Sequence, residues 1–269
     1  MNLADNLTFM IQTCSKFSDL WEPHLSLLRE NWPDCPVTPL LVTDDAADAV
    51  FPGVEIFSAG AGKHMPARLE AVLPRIKTDY ILLTLDDYFP IYPVSTEKIV
   101  RLVEIMEAEQ LDYIRLFSDP PSFQKWEGIP GLYRIDLEEN YAVNLYPGLW
   151  RKSFLEKTLQ RSADIWRYEV SLTPTARTLQ ARCALSRGGE FRILDVVRKG
   201  KLLHYPSRYL RRRGLYRGNR EVISWREELR VAVFSTGKKL LPRAAALWVK
   251  DRLRKRGVRF YSDQLEVMP

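Results

Sequence analysis

Short apolar runs alternate with amphipathic segments along the first half of the chain. The apolar runs are rich in Leu, Ile and Val and end in turn-forming or polar residues, which is typical of strands buried on both faces. They cover residues 7–13, 37–43, 54–60, 80–87 and 112–118. Apolar positions at helical spacing predict helices over residues 20–31, 67–77 and 95–110. Pro74 is expected to bend or end the second helix, and Ser95 to cap the third.

This order of elements predicts an α/β fold with a mostly parallel sheet flanked by helices. The pattern changes after residue 120, where a loop rich in Pro, Gly and aromatic residues extends to residue 146. The remaining predictions are helices over 151–160 and 174–186, a strand pair over 191–197 and 201–206 that flanks a turn at Lys199-Gly200, and a mostly helical tail over 208–256. We therefore predict a main α/β domain over residues 1–206 and a basic helical C-terminal extension over residues 207–269.

Charge is distributed unevenly along the chain. The net charge is +6, but residues 187–269 contain 22 Lys and Arg against 8 Asp and Glu, whereas residues 1–186 contain 18 against 26. This asymmetry predicts an acidic body and a basic tail that meets an anionic partner. Phospholipid, lipid-linked phosphate and nucleic acid all satisfy that description.

The tail also carries apolar residues among its cations. In the segment 241–260, Leu241, Leu247, Trp248 and Leu253 stand between many Lys and Arg, as in a basic amphipathic helix that lies on a membrane surface. The alternative is a solvated helix whose apolar stripe packs on the main domain. No nucleic-acid-binding motif accompanies the charge, so no nucleic-acid partner is expected.

Composition limits the class of protein and its compartment. A hydrophobic content of 46% in 269 residues is that of an ordinary globular protein. No apolar run reaches the length of about 18 residues that a transmembrane helix needs, and no positively charged segment precedes the first apolar run, which argues against a secretory signal. The three cysteines, Cys14, Cys35 and Cys183, are scattered and odd in number, which favours a reducing cytosol.

Two adjacent carboxylates, Asp86 and Asp87, end the apolar run YILLTL. Carboxylates at the end of a buried strand lie at the edge of the sheet where open α/β folds bind ligands. Carboxylate and phosphate oxygens are the ligands that Mg²⁺ and Mn²⁺ prefer, so this pair is suited to hold a cation against a phosphorylated ligand. The alternative is a helix cap or a solvated turn.

The segments around this pair resemble those of the GT-A glycosyltransferases, in particular bacterial family 2-like enzymes of polysaccharide and lipopolysaccharide biosynthesis. The resemblance spans about residues 7–205 and includes the segments LTFMIQTCSK, LLVTDD, TLDDYF, LYPGLW and DIWRYE. It implies a divalent cation, Mn²⁺ or Mg²⁺, held by Asp87, while Asp86 contacts the ribose or the sugar. Leu85 occupies the position that is often the first Asp of the motif.

The resemblance also implies a donor-binding set. Thr13, Ser15 and Lys16 follow the first strand, where such enzymes wrap the base and ribose of the donor. Asp44 or Asp45 would receive the base, and Arg68 would face the phosphates. His204 would supply a further metal ligand, because several members of the fold recruit a late His or Asp. For each single residue, a plain loop or core role is the alternative.

A second carboxylate is needed if the sugar is transferred with inversion, because a base must take the proton from the acceptor hydroxyl. Glu169, in the segment DIWRYE, is the candidate base, and Asp164 is the alternative base. A structural alternative is that Glu169 caps a helix or pairs with one of three nearby arginines, Arg167, Arg151 and Arg177.

These features together predict a metal-dependent glycosyltransferase. We expect it to move a sugar from a nucleotide-sugar donor to a glycan or lipid-linked acceptor at the cytoplasmic face of a membrane. One rival is a nucleotidyltransferase, although the loop after the first strand lacks the glycines of that class. The other rival is a non-catalytic module that binds anionic polymers or membranes through its arginines.

Overall fold

The computed structural model describes residues 2–159, 164–229 and 252. The strands are β1 Leu7–Gln12, β2 Leu40–Thr43, β3 Glu55–Ser58, β4 Tyr80–Leu85, β5 Tyr88–Pro90, β6 Tyr113–Arg115, β7 Leu132–Arg134, β8 Gly148–Arg151, β9 Cys183–Ser186, β10 Ile193–Asp195, β11 Val197–Arg198 and β12 Lys201–Leu202. The α-helices are α1 Leu3–Asn6, α2 Trp21–Asn31, α3 Met65–Val72, α4 Thr96–Ala108, α5 Lys152–Thr158, α6 Ile165–Thr178 and α7 His204–Arg212. Two 3₁₀ helices cover Ser15–Leu20 and Leu73–Arg75.

The main sheet is mixed and mostly parallel. Within the described residues its strand order is β3-β2-β1-β4-β8-β6-β9-β7, and its strands are parallel except β8 and β7. The predicted α/β class, with a mostly parallel sheet flanked by helices, is therefore confirmed. The side chain of Ser95 caps α4 by accepting from the amide of Lys98, as its position before the apolar pattern predicts.

The central strands are apolar at nearly every position because both of their faces are covered. In β4, Tyr80 and Leu82 pack into one core, beneath helices α2 and α4, whereas Ile81 and Leu83 pack into the other, beneath α3, α5 and α6. Successive side chains of a strand point to opposite faces, so a continuous apolar run is what a sheet between two helical layers requires.

A third core joins the C-terminal part of the described chain to the body. Leu210 and Tyr216 pack there with Leu20 and Phe89, and the amide of Ile223 donates to the carbonyl of Leu202 at 2.8 Å. Two small antiparallel pairs, β5 with β10 and β11 with β12, lie at the same end of the molecule. Residues 207–223, which the sequence assigns to the extension, thus share a core with the body.

Two predicted elements are wrong. Residues 174–186 were expected to form one helix, but α6 begins at Ile165 and contains Pro174, while Cys183–Ser186 is strand β9. Pairing of β9 with β6 and β7 overrides the helix propensity of its Ala and Leu residues. His204 was expected to close a strand, but it is the first residue of α7.

The amphipathic segment predicted around Leu241, Leu247, Trp248 and Leu253 lies outside the described residues. None of the described helices is both long and apolar enough to span a bilayer.

Candidate functional site

The candidate site lies where β1, β2 and β4 end. The three strands are parallel and in register, with Gln12 opposite both Val42 and Leu85. The residues that follow them, Thr13, Asp44 and Asp86, therefore meet at one edge of the sheet. Backbone bonds hold this edge, since the amide of Thr13 donates to Val42 at 2.9 Å and that of Asp86 donates to Gln12 at 3.1 Å. Open α/β sheets bind ligands at this edge.

Asp86 is buried on the side of the pair that faces β1. The hydroxyl of Thr13 donates a short hydrogen bond to its carboxylate, and the indole of Trp21 donates to the same hydroxyl at 2.6 Å. Burial raises the pKa of Asp86 to about 7, while Thr13, Arg68 and Arg220 oppose the rise. Asp86 thus has a hydrogen-bond donor and two cations to stabilise its charged form.

His24 holds the end of β4 through the backbone carbonyl of Asp86. Its Nδ1 lies 3.1 Å from the backbone oxygen of Asp86, which accepts only, so Nδ1 carries the proton. Burial lowers the pKa of His24 to about 4, which keeps the ring neutral. His24 is a buried structural partner of the strand end.

Asp87 faces the opposite side, where its surroundings are acidic. Burial raises the pKa of its carboxyl well above the ordinary range, and the negative charges of Asp86, Asp195 and Glu169 raise it further. Its Oδ1 is buried and has no hydrogen-bond partner among the described residues. Its backbone carbonyl accepts from the amide of Val196 at 2.9 Å, which fixes the turn between β4 and β5 against the strand end at Asp195.

Asp195 is a site residue that the sequence analysis did not single out. The antiparallel pairing of β10 with β5 places it opposite Tyr88, beside the acidic pair. It accepts a charge-assisted hydrogen bond from Arg198 at 2.9 Å, and burial raises its pKa against the effect of that arginine. The only sequence signal was an apolar run ending in Asp, as in the strand before Asp86.

Glu169 lies on α6, close enough for its charge to act on Asp87. The amide of Leu145 donates to its Oε1 at 3.5 Å, and burial raises its pKa against that bond. The three arginines proposed as its alternative partners pair elsewhere: Arg167 with Asp164, Arg177 with Glu138 and Arg151 with Asp112.

Asp164, the alternative base, is the N-cap of α6. Its Oδ1 accepts from the amides of Trp166 and Arg167 at 3.0 and 2.9 Å. This role satisfies two of the amides that the start of a helix leaves without a partner.

A cleft of about 310 Å³ opens beside the first strand. It is lined by Ser15, Ser18, Trp21, Asp45, Ala46, Ala47, Ala49 and Phe51. The neighbouring carboxylate of Asp44 accepts from the amide of Ser15 at 2.7 Å. Burial alone would raise the pKa of Asp44, but the hydrogen bonds from Ser15, Asp45 and Thr43 lower it below its ordinary value. Asp44 therefore holds the loop, while the exposed Asp45 lines the cleft.

Arg68 and Arg220 supply positive charge on the Asp86 side. Arg68 is buried, donates to the carbonyl of Lys63 at 2.7 Å and has no partner for its Nε among the described residues. Arg220 comes from the C-terminal part, where it donates to Asp19 at 3.0 Å and to the carbonyl of Lys16 at 2.7 Å. Lys16 itself is exposed at the rim. Nothing in the local sequence of Arg220 indicated that it reaches the site.

His204 has its partners in another group of residues. Its Nδ1 forms a short hydrogen bond with Glu228, and its ring stacks on Trp225 at 3.8 Å between centroids. The structure therefore brings together Thr13, Asp44, Arg68, Asp86, Asp87 and Glu169, with Lys16 and Asp45 at the rim and His204 tied to Glu228.

The residues around Asp87 fit a divalent cation in their chemistry. No three His, Cys, Asp or Glu side chains within the described part of the chain gather closely enough to form a complete metal centre. However, the unpartnered Oδ1 of Asp87 and the neighbouring carboxylates make a negative region of hard oxygen donors. A cation bound between protein and phosphate oxygens needs only one or two carboxylates from the protein.

Comparison with known proteins finds no matching family model and no matching curated protein. Solved structures with a similar chain course include S. aureus TarS 1-349 in complex with UDP-GlcNAc, with 14% identity, a TM-score of 0.47 and coverage of 73% of this chain and 60% of that one. Another is the mannosyltransferase PcManGT from Pyrobaculum calidifontis in complex with GDP-Man and Mn²⁺, with 10% identity, a TM-score of 0.48 and coverage of 96% and 82%. A cytidylyltransferase from Leptospira borgpetersenii has 13% identity, a TM-score of 0.44 and coverage of 71% and 82%. Every one of these TM-scores is below 0.5, so the similarity does not extend to a function.

Proposed function

We propose that this protein is a metal-dependent glycosyltransferase that uses a nucleotide-sugar donor. The observation that carries the proposal is the opposite surroundings of the two adjacent carboxylates. Asp86 faces a hydroxyl and two arginines, whereas Asp87 faces Asp195 and Glu169. Such a site has one side suited to a nucleoside diphosphate and another suited to removing a proton.

The Asp86 side binds the donor. The aromatic rings of Trp21 and Phe51 and the carboxylate of Asp45 line a cleft that suits a nucleobase. Ser15 and Lys16 begin the 3₁₀ helix next to that cleft, and Asp44 holds the start of this helix in place. Arg68, whose buried Nε has no hydrogen-bond partner in the described part of the chain, faces the phosphates. Asp86 is thus placed between the nucleotide loop and Arg68, where it can accept from a ribose or sugar hydroxyl.

Asp87 holds the cation, Mn²⁺ or Mg²⁺. When bound, the cation neutralises the charge that develops on the diphosphate leaving group. A positive ion also offsets the repulsion that Asp87 experiences from its acidic neighbours. His204 remains a predicted further ligand, and it would have to leave Glu228 to take that role.

Glu169 acts as the base toward the acceptor hydroxyl, which makes the transfer inverting. Burial raises its pKa and brings it nearer to the working pH, where a carboxylate accepts a proton more effectively. The acceptor is a glycan or a lipid-linked glycan of the lipopolysaccharide type, and we place the reaction at the cytoplasmic face of a membrane. The main domain, predicted over residues 1–206, carries this chemistry, and the basic extension is predicted over residues 207–269.

A thermal-shift screen with nucleoside diphosphates and nucleotide sugars tests the proposal. UDP-GlcNAc and GDP-Man, with and without Mn²⁺, are the first ligands to test. We expect a metal-dependent rise in the melting temperature with one nucleotide, because a ligand that binds only the folded protein stabilises it. The rise should be lost in Asp87→Asn and retained in the control Glu97→Gln, which changes an exposed carboxylate on α4.

Product analysis separates the proposal from the nucleotidyltransferase alternative. A glycosyltransferase releases a nucleoside diphosphate from its donor, whereas a nucleotidyltransferase releases pyrophosphate from a nucleoside triphosphate. Stabilisation by triphosphates with pyrophosphate release would overturn the proposal. The non-catalytic alternative predicts that nucleotides do not change the melting temperature. Point variants test this alternative better than truncation does, because truncation at about residue 206 would remove Leu210 and Tyr216 from the core.

A further inference from the structure

We infer that an aromatic and cationic surface around α7 docks the protein on an anionic phospholipid bilayer. This α7 surface consists of Tyr205, Arg208, Arg212, Trp225, Arg226 and Leu229. It lies in residues 204–229, not in the later segment that the sequence pattern favours. The inference deepens the proposed function, because it supplies the contact with a membrane where a lipid-linked acceptor would be found.

Three large apolar side chains are exposed in α7 and the segment after Ser224. Tyr205, Trp225 and Leu229 expose 62%, 72% and 64% of their areas. Contacts within the surface bring the two segments together, because Trp225 stacks on His204, which directly precedes Tyr205. Isolated exposed apolar residues need no explanation, but a group of them marks an interaction site.

The group is held in place before any partner binds. His204 stacks on one face of Trp225 and bonds to Glu228, so that α7 and the segment after Ser224 are tied together. The ring of Tyr205 stacks with that of Tyr209 at 6.3 Å between centroids. A preformed surface loses less conformational entropy on binding than mobile side chains do.

Arginines flank the apolar group, and the two glutamates beside it are engaged, Glu227 with Lys199 and Glu228 with His204. Arg208 and Arg212 lie on the same exposed face of α7 as Tyr205, at helical spacing, and Arg226 is exposed next to Trp225. Other arginines of this region are engaged with the body, since Arg213 pairs with Glu30 and Arg220 with Asp19. The chain that follows, residues 230–269, adds ten Lys and Arg against three Asp and Glu.

The combination favours a bilayer over a soluble anionic polymer. A polyanion in water satisfies the arginines but leaves Leu229 and the ring of Trp225 exposed. An anionic bilayer offers both a negative headgroup layer and an apolar interior, and Trp and Tyr are the residues that favour the boundary between them.

Co-sedimentation of the full chain with vesicles tests the inference. Vesicles of phosphatidylcholine with 30% phosphatidylglycerol are compared with vesicles of phosphatidylcholine alone. We expect binding to the anionic vesicles only. The charge variant Arg208→Glu with Arg212→Glu should reduce the partition coefficient by roughly thirtyfold or more, and the aromatic variant Tyr205→Ala with Trp225→Ala by about tenfold.

Matched controls change the same residue types elsewhere. Lys77→Glu with Arg101→Glu reverses two exposed charges, and Phe123→Ala removes an aromatic ring that is 78% exposed. Both should bind within about twofold of wild type. Equal loss in controls and test variants, or unchanged binding in both test variants, would overturn the inference. The inference would also be overturned if sedimentation equilibrium showed a dimeric wild type and a monomeric aromatic variant. Binding to a soluble polyanion as strong as binding to vesicles would overturn it as well.

The outcome is independent of sugar transfer. Nucleotide-dependent thermal shifts without vesicles report on the donor site alone, so a failed glycosyltransferase proposal leaves vesicle binding measurable. Conversely, the test variants should keep the nucleotide shift of the wild type, because none of the changed residues lies in the candidate site.

Discussion

Asp86 and Asp87 are neighbours in sequence but differ in almost every physical respect. Asp86 accepts from Thr13 and faces two arginines, whereas Asp87 faces other carboxylates and carries an oxygen without a hydrogen-bond partner among the described residues. The two residues form the turn between β4 and β5, and this turn gives one carboxylate the surroundings of β1 and the other those of β10 and α6.

This difference between the two carboxylates indicates which of them would gain most from a bound cation. Burial opposes the charged form of Asp86, but a hydroxyl and two cations of the protein offset part of that cost. The charged form of Asp87 is opposed by its neighbours, and a bound cation would remove that opposition. The electrostatic asymmetry thus points to Asp87 as the place where a positive ion changes the free energy most.

Asp87→Asn should give the largest effect. We expect sugar transfer to fall by about 10³-fold or more, because the oxygen donor for the cation is weakened. The same change should raise the free energy of unfolding of the metal-free protein by about 1 kcal/mol, since it removes a repelled charge. Initial rates and denaturant unfolding at pH 8 measure the two effects.

Asp86→Asn is the comparison for that prediction. This variant loses favourable interactions with Thr13 and Arg68, so its metal-free form should be less stable than that of Asp87→Asn. If the order of stabilities were reversed, the assignment of the two sides would be wrong.

Glu169→Gln should give the next largest effect, and Asp164→Ala is the matched comparison. Loss of the base should lower kcat by about 10²- to 10⁴-fold and leave donor affinity within about twofold. Asp164 caps α6, so its removal should cost about 1 kcal/mol of stability and leave kcat within about threefold. If Asp164→Ala lost most of its kcat while Glu169→Gln stayed active, Asp164 would be the base and Glu169 would not.

The sequence predicted the site residues that directly follow the apolar strands. Thr13, Asp44 and Asp86 follow apolar runs, and parallel strands bring their ends to one edge. Asp195 and Arg220 were missed because only distant pairing places them. Asp195 reaches Tyr88 through the pairing of β10 with β5, and Arg220 reaches Asp19 because the nearby Tyr216 is anchored in the third core.

Local propensity also misplaced some elements. Proline disfavours the interior of a helix, yet Pro174 lies inside α6. Strand β9, Cys183–Ser186, contains Ala184 and Leu185, which favour helices. Contacts with the rest of the fold override local propensity in both elements. Such contacts are not visible in a short window of sequence. The assignment of residues 1–206 and 207–269 as separate parts remains a prediction, and the shared core of Leu210 and Tyr216 favours a boundary after Tyr216.

The smallest predicted effect concerns pH and the bond from Thr13 to Asp86. The pKa of Asp86 is raised in the folded protein, so this protein binds more protons than the unfolded chain between about pH 4 and pH 7. The contribution of Asp86 to the free energy of unfolding should therefore fall as pH rises through that window and level off above it.

Thr13→Val removes the hydroxyl that lowers the pKa of Asp86, so the fall should extend to higher pH than in the wild type, with a slope of at most about 1.4 kcal/mol per pH unit. Thr13→Ser keeps the hydroxyl and is the matched control. Denaturant unfolding of the three metal-free proteins at pH 5, 6, 7 and 8 measures the slopes. Parallel curves for Thr13→Val and Thr13→Ser would mean that Thr13 does not tune Asp86. A fall that extends to higher pH in Thr13→Val alone would show that the residue after the first strand tunes the protonation of the carboxylate at the end of the fourth.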